Sequence, residues 1–379
     1  METVSPFKDA IDAIKQAGGE AFKYCYQCGL CDTVCPWNKV RKFSIRGIVR
    51  QATFGLPEVE GEDIWRCTTC GNCPSKCPRG VKQIEVGVAL RRIAAEYGVV
   101  PDPVHTVAAS LGGEGNPLGE KREKRTDWTA GLSVKTFTEG MEVLYFPCCY
   151  SSYDPRLKKT AIATANILNQ AGVDFGILGA AQNCCGESIR KTGDEALFKR
   201  LARENIKTFV ENGVTRILVS SPHCYHTFKN EYTQFKVNFE VVHISQYLSE
   251  LADSGRLKFT KKYGKKLTYH DPCYLGRHNG VYDEPRELLK RAGSELVEMP
   301  EAKKDSLCCG GGGGGIWMDR KKGERFADLR IGQAVDSAAQ VLVTACPYCI
   351  VNFEDSRLTL QNSEAIEIKD ITEVVQEAL

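Results

Sequence analysis

Two cysteine runs near the N-terminus have the residue type and spacing to hold iron. The first, CYQCGLCDTVCP, places Cys25, Cys28, Cys31 and Cys35 ahead of Pro36; the second, CTTCGNCPSKCP, places Cys67, Cys70, Cys73 and Cys77 ahead of Pro78. Both read C-x2-C-x2-C-x3-C-P, the bacterial ferredoxin pattern for two [4Fe–4S] clusters. Iron in such a cube takes soft, deprotonated sulfur ligands, four to a cluster. Three cysteines at two-residue intervals wrap one cube, and the fourth, further along, ligates the other. The spacing therefore predicts one cubane on Cys25, Cys28, Cys31 and Cys77, and a second on Cys67, Cys70, Cys73 and Cys35. Paired C-x2-C units also form zinc sites. The third cysteine and the trailing Cys-Pro, each present twice, favour iron. A disulfide framework does not suit 379 residues with 18 cysteines and no secretory signal.

The remaining cysteines expose a twofold repeat. In the second copy 34 residues separate Cys273 from Cys308-Cys309, and 36 more separate that pair from Cys346 in ACPYC, which ends at Cys349. In the first copy 34 residues separate Cys149 from Cys184-Cys185, and 38 more lead to Cys224 in PHCYHT. The first copy is incomplete: Thr227 stands where the second cysteine of its C-x-x-C is expected, and Cys148 is an extra neighbour. Four thiolates at Cys149, Cys184, Cys185 and Cys224 could hold a cluster or zinc, with or without His226. His270 and His278 flank Cys273; each is a candidate proton donor or a loop-fixing hydrogen-bond partner. The glycine run Gly310–Gly315 lacks the Lys-Ser/Thr of a phosphate loop. Its missing Cβ atoms leave space for close backbone approach at a cluster and for a substrate. Trp317 either lines that space or packs.

These side chains need elements to position them. SPFKDAIDAIKQAG with Ser5 as N-cap, KFSIRGIVRQATFG and IEVGVALRRIAAEYG carry helical periodicity around the ferredoxin runs. Residues 1–111 are thus expected to form a mostly helical two-cluster module. The Gly- and charge-rich 112–140 is expected to be a linker, laid over a neighbour through Trp128. EVLYF, TRILVSS, KLTYH and QVLVTA suit short buried strands, alternating with helical segments such as ALFKRLARENIKTFVENG. Alternation of this kind predicts parallel α/β layers, repeated over 141–264 and 265–379, in a chain that is α+β overall. Loops at the carboxyl ends of parallel strands then gather cysteines that are far apart in sequence.

The C-x34-CC-x36-CxxC pattern, with Gly310 after its pair, resembles the CCG domain of heterodisulfide reductases. The whole chain from Tyr24 to Cys349 resembles their fused, D-type iron–sulfur subunit. The resemblance implies a noncubane [4Fe–4S] cluster on Cys273, Cys308, Cys309, Cys346 and Cys349, acting on a disulfide or thiol substrate. It implies electron flow from a flavoprotein or other redox subunit of a larger anaerobic complex, through both cubanes. Two further readings stay open. One is a pure relay in an electron-bifurcating or quinone-linked complex, of the class II benzoyl-CoA reductase type. The other is an iron–sulfur subunit of a flavin-linked glycolate or lactate oxidoreductase.

A formal charge of +2 gives no case for nucleic acid. The basic runs at 121–125 and 261–266 are short and suit solvated faces. No apolar stretch approaches ~18 residues, so no transmembrane helix is expected. The cysteine content suits a cytoplasmic, reducing setting.

Overall fold

The described residues between Ser5 and Gly115 wind into helices and turns. The computed structural model describes residues 5–56, 61–360 and 366–379. Helix Ile45–Phe54 starts where Ser44 accepts the Gly47 N–H at 2.9 Å, and it buries Ile45, Ile48, Val49 and Ala52. Helix Gln83–Glu96 packs beside it through Val86, Ala89 and Leu90, enclosing the core between the two ferredoxin runs. The first helix begins at Lys8, with Phe7 rather than Ser5 at its N-cap. The Phe7 N–H is held by the Phe54 carbonyl at 3.0 Å, so the chain ahead of it lies against the end of another helix.

The rest of the chain is built on two parallel sheets, which makes the protein α+β. Strands β1 (Lys135–Thr136), β2 (Val143–Phe146), β3 (Phe175–Ile177), β4 (Arg216–Val219) and β5 (Glu240–His243) form the first, in the order β1-β3-β2-β4-β5. Strands β6 (Lys266–Tyr269), β7 (Glu295–Val297), β8 (Val341–Thr344) and β9 (Glu367–Asp370) form the second, in the order β7-β6-β8-β9. In each sheet the chain leaves the first central strand to one side and then returns to the other. The order therefore reverses between β2 and β4, and again between β6 and β8. Loops leaving such a switch point diverge and open a crevice, where parallel sheets carry their sites.

The 112–140 segment folds onto the first sheet. Its turn of helix Arg122–Thr129 buries Arg125 and Trp128, and Trp128 meets Tyr145 edge-on with centroids 6.1 Å apart. Lys135–Thr136 then adds the edge strand β1, paired in parallel to β3. Arg125, the last residue of a basic run that suited a solvated face, is thus part of the interior.

Candidate functional site

In each ferredoxin run a left-handed glycine, Gly29 (φ 85°) or Gly71 (φ 80°), opens a short helix, Leu30–Thr33 or Asn72–Lys76. The runs face one another. Cys25, Cys28, Cys31 and Cys77 line one cavity; Cys35, Cys67, Cys70 and Cys73 line the other. Each cavity takes three cysteines from one run and its fourth from the partner run. The first opens to the surface, where Cys28 is exposed beside Tyr24 and Tyr26. The second lies behind Trp37, Phe43 and Ile45. Burial pushes the Cys31 thiol up to about 12 and raises Cys35 further. Thiolates at these positions need a cationic partner, and the four-sulfur donor sets fit iron.

The second cysteine-rich motif gathers at the carboxyl ends of β6 and β8. β6 leads through His270-Asp271-Pro272 to Cys273. β8 leads to Cys346, the N-cap of helix Pro347–Thr359, with Cys349 in its first turn. Asp271 fixes the first loop: its carboxylate takes Arg286 at 2.6 and 2.9 Å and the Lys303 N–H at 2.7 Å. The five thiols lie in a row of neighbours, Cys273 beside Cys308, Cys308 beside Cys309, Cys309 beside Cys349 (3.3 Å), and Cys349 beside Cys346. Although burial opposes its charge, Cys346 is held down to about 5 by Cys349 and by His223. The donor set and its stored thiolate charge fit an iron–sulfur cluster.

The two flanking histidines differ from simple proton donors. His270 shares a 4.8 Å group with Cys309 and Cys349, but its Nδ1 accepts from Arg330 Nε at 3.1 Å. Burial and the Arg330 charge hold its pKa well below the usual value, so the ring is neutral with its proton on Nε2. It can donate a hydrogen bond toward sulfur. His278 Nε2 donates to the Thr69 carbonyl at 2.9 Å, and burial lowers its pKa to about 3. It ties the Cys273 loop to the second ferredoxin run.

That tie is one of several at a junction between modules. Cys70 lies beside Cys308, and the Thr68 hydroxyl is 3.7 Å from the same sulfur. Thr69 Oγ1 meets Tyr274 OH at 2.8 Å, and Arg277 Nε donates to the Cys70 carbonyl at 2.8 Å. The glycine run presses onto this surface. A Cβ at Gly312 would stand 2.4 Å from the Thr68 carbonyl oxygen, and one at Gly313 (φ +61°) 2.5 Å from that of Cys67. The run's missing side chains thus serve contact between modules more than substrate space. Gly312→Ala is expected to cost about 2–3 kcal/mol in denaturant unfolding. The same change should slow electron passage between modules, read by stopped-flow reduction of the second motif.

The first motif departs from the sequence reading. Strand register sets Leu144 beside Ile217 and Thr268 beside Leu342. The two sheets then align Cys149 with Cys273, Cys224 with Cys349, Ser221 with Cys346 and Cys148 with Pro272. The helix starts agree, with Ser221 and Cys346 both N-caps followed by proline. The missing cysteine is therefore the first of the C-x-x-C pair, and Ser221 stands in its place. Thr227 lies a helical turn further on, its hydroxyl donating to the His223 carbonyl at 2.9 Å. His226 turns away from these thiols, with Asn230 at 3.1 Å and Glu231 at 3.6 Å. Arg125 reaches Cys149 Sγ at 3.7 and 3.8 Å.

Between the motifs stands an aromatic wall. Tyr150 meets Tyr348 edge-on at 5.0 Å, and the equivalent positions of the two repeats, Tyr274 and His223, stack at 4.2 Å. His223 Nδ1 meets Glu187 at 2.9 Å, and the same ring contacts Cys346 of the other repeat. Against the penalty of burial, the His223 charge holds Glu187 down to about 2. His223, Glu187, Arg125 and Ser221 escaped sequence reasoning. Only the neighbourhood of His223 and Ser221 to Cys224 could have flagged any of them. A pocket beside Cys309 and Gly310 is lined further by Trp317, Met318, Arg320 and Asn352.

A cysteine-rich domain profile matches residues 143–229 and 267–354, and a 4Fe-4S dicluster domain profile matches residues 21–81. The D-type subunit of the dihydromethanophenazine:CoB–CoM heterodisulfide reductase of Methanosarcina mazei is 33% identical, over 94% of this chain and 93% of its own length. The chain belongs to the family of D-type heterodisulfide reductase subunits. It is an electron-transferring iron–sulfur protein with several clusters. The EtfAB:quinone oxidoreductase of Syntrophomonas wolfei is 36% identical over 85% of this chain, and the probable iron-sulfur-binding oxidoreductase FadF of Bacillus subtilis is 36% identical over 84%. The chain spans 47% of the length of each of these two relatives. Among the described residues no helix is long and apolar enough to cross a membrane.

Proposed function

We propose that electrons enter at the exposed Cys28 face, cross the two ferredoxin cubanes, and end at the second cysteine-rich motif, where a disulfide is cleaved. The contact of Cys70 with Cys308 carries this reading: it joins a ligand of the inner cubane to the cysteine pair of the motif. The cubanes would sit on Cys25, Cys28, Cys31 and Cys77, and on Cys67, Cys70, Cys73 and Cys35. A noncubane cluster would sit on Cys273, Cys308, Cys309, Cys346 and Cys349, where it supplies iron for sulfur to bind and a store for single electrons. Cleaving one disulfide takes two electrons and two protons and releases two thiols. The chain's own part is to hold Cys308 and Cys273 against Cys70, to give the substrate entry beside Cys309, and to offer the His270 N–H toward sulfur. Water in the open pocket provides the protons. The donor is a flavoprotein within a larger complex, in a cytoplasmic and low-oxygen setting.

The test is anaerobic turnover of a small organic disulfide by the isolated chain, with reduced viologen as donor. Two thiols per disulfide are expected. Reduced clusters without any thiol product would instead leave a pure relay, feeding a quinone or another carrier. The higher identity to two much longer oxidoreductases, one named for a quinone, favours that second reading.

A further inference from the structure

We propose that Cys148 supplies the fifth thiolate of an iron–sulfur site on the first cysteine-rich motif, with Cys149, Cys184, Cys185 and Cys224. The inference rests on the reading of the second motif as a five-thiolate cluster site. In the register alignment the first copy lacks a thiol at Ser221, where the second has Cys346, and gains one at Cys148, where the second has Pro272. The loss lies after β4 and the gain after β2. These strands are neighbours, so both positions face the same crevice at the switch point.

The contacts of the two motifs follow one order. In the second the thiols run Cys273, Cys308, Cys309, Cys349, Cys346. In the first they run Cys149, Cys184, Cys185, Cys224, Cys148. Cys148 closes its row against Cys224, as Cys346 closes its own against Cys349. The Cys148 N–H donates to Ser220 Oγ at 3.4 Å, which holds its loop beside the residue preceding Ser221. Ser221 itself is fully buried, and its hydroxyl has no protein partner. A buried hydroxyl in that state is costly and calls for a further group at the site. The Arg125 guanidinium lies 3.7 Å from Cys149 Sγ, a positive charge set beside the donor atoms. With this assignment all 18 cysteines have a place: eight in the ferredoxin runs and five in each motif.

Iron, zinc and acid-labile sulfide are measured on the full chain after anaerobic purification. The wild type should carry about 16 irons with matching sulfide. Cys148→Ser should fall to about 12, with the electron paramagnetic resonance of the ferredoxin cubanes unchanged. Cys148→Ser/Ser221→Cys, which returns the thiol to the C-x-x-C position, should recover about 16. A wild type at about 12 irons, with or without one zinc, overturns the assignment while leaving the relay intact. About 8 irons would remove the reading of the second motif as well. Cys148→Ser retaining every iron, or losing the signal that Cys349→Ser loses, also overturns it. If Cys148→Ser does not accumulate, the wild-type count and the thiol-conserving double variant decide.

Discussion

Cys70→Ala is expected to lower disulfide turnover from a viologen donor by more than about a hundredfold. Iron should fall by about four per chain. Cys70 has two tasks. It lines the inner ferredoxin cavity with Cys35, Cys67 and Cys73, and it lies beside Cys308 of the second motif. Its loss removes both the inner electron store and the shortest path out of it. The outer cavity on Cys25, Cys28, Cys31 and Cys77 shares none of these thiols, so its cubane should still be reduced by the dye and give its own spectrum. Stopped-flow absorbance separates the two events. Turnover that survives Cys70→Ala would mean electrons reach the second motif without crossing the inner cubane, and the proposed route would be wrong.

Arg91→Met is expected to destabilise the chain by about 4 kcal/mol or more in equilibrium denaturant unfolding. The side chain is buried and donates to four main-chain carbonyls in three segments: Ile64 at 2.9 Å and Cys67 at 2.7 Å, Lys191 at 2.9 Å, and Gly313 at 2.9 Å. These tie helix Gln83–Glu96 to the second ferredoxin run, the first cysteine-rich unit and the glycine run together. Hydrogen bonds from a charged donor contribute ~1.5–3 kcal/mol each, and their acceptors would stay buried and unpaired. The effects are not additive, so the expectation stays below their sum. Arg91→Lys should restore little, since one ammonium cannot span the planar fork that serves four oxygens. A change within ~0.5 kcal/mol would show that the modules are held together elsewhere.

The legible strands were β2, β4, β6 and β8. Each is a short, mostly apolar run lying at the centre of its sheet, buried on both faces. Strands β5, β7 and β9 are edge strands and carry exposed or half-exposed residues, so their patterns resemble loops. β3 is buried, but its three residues include Gly176 and give too short a signal. The 112–140 segment has no periodicity, yet two residues, Arg125 and Trp128, anchor it. Trp128 was legible as its contact with a neighbour, whereas Arg125, inside a basic run that suits a solvated face, had no local signature.

By itself the sequence determined the chemistry of the chain: soft-ligand spacing names iron, and the repeat of lone and paired cysteines names a two-unit α/β scaffold. These are legible because ligand spacing and buried strands are local properties. Tertiary structure decided which thiol meets which. Parallel register, not residue counting, put Ser221 rather than Thr227 at the vacant ligand position and brought Cys148 to the same crevice. It set Cys70 against Cys308, 238 residues apart in the chain. It also placed His223 of one repeat on Cys346 of the other. Such contacts follow from how two sheets and a helical module pack, and packing depends on the shapes of distant surfaces that no stretch of sequence contains alone.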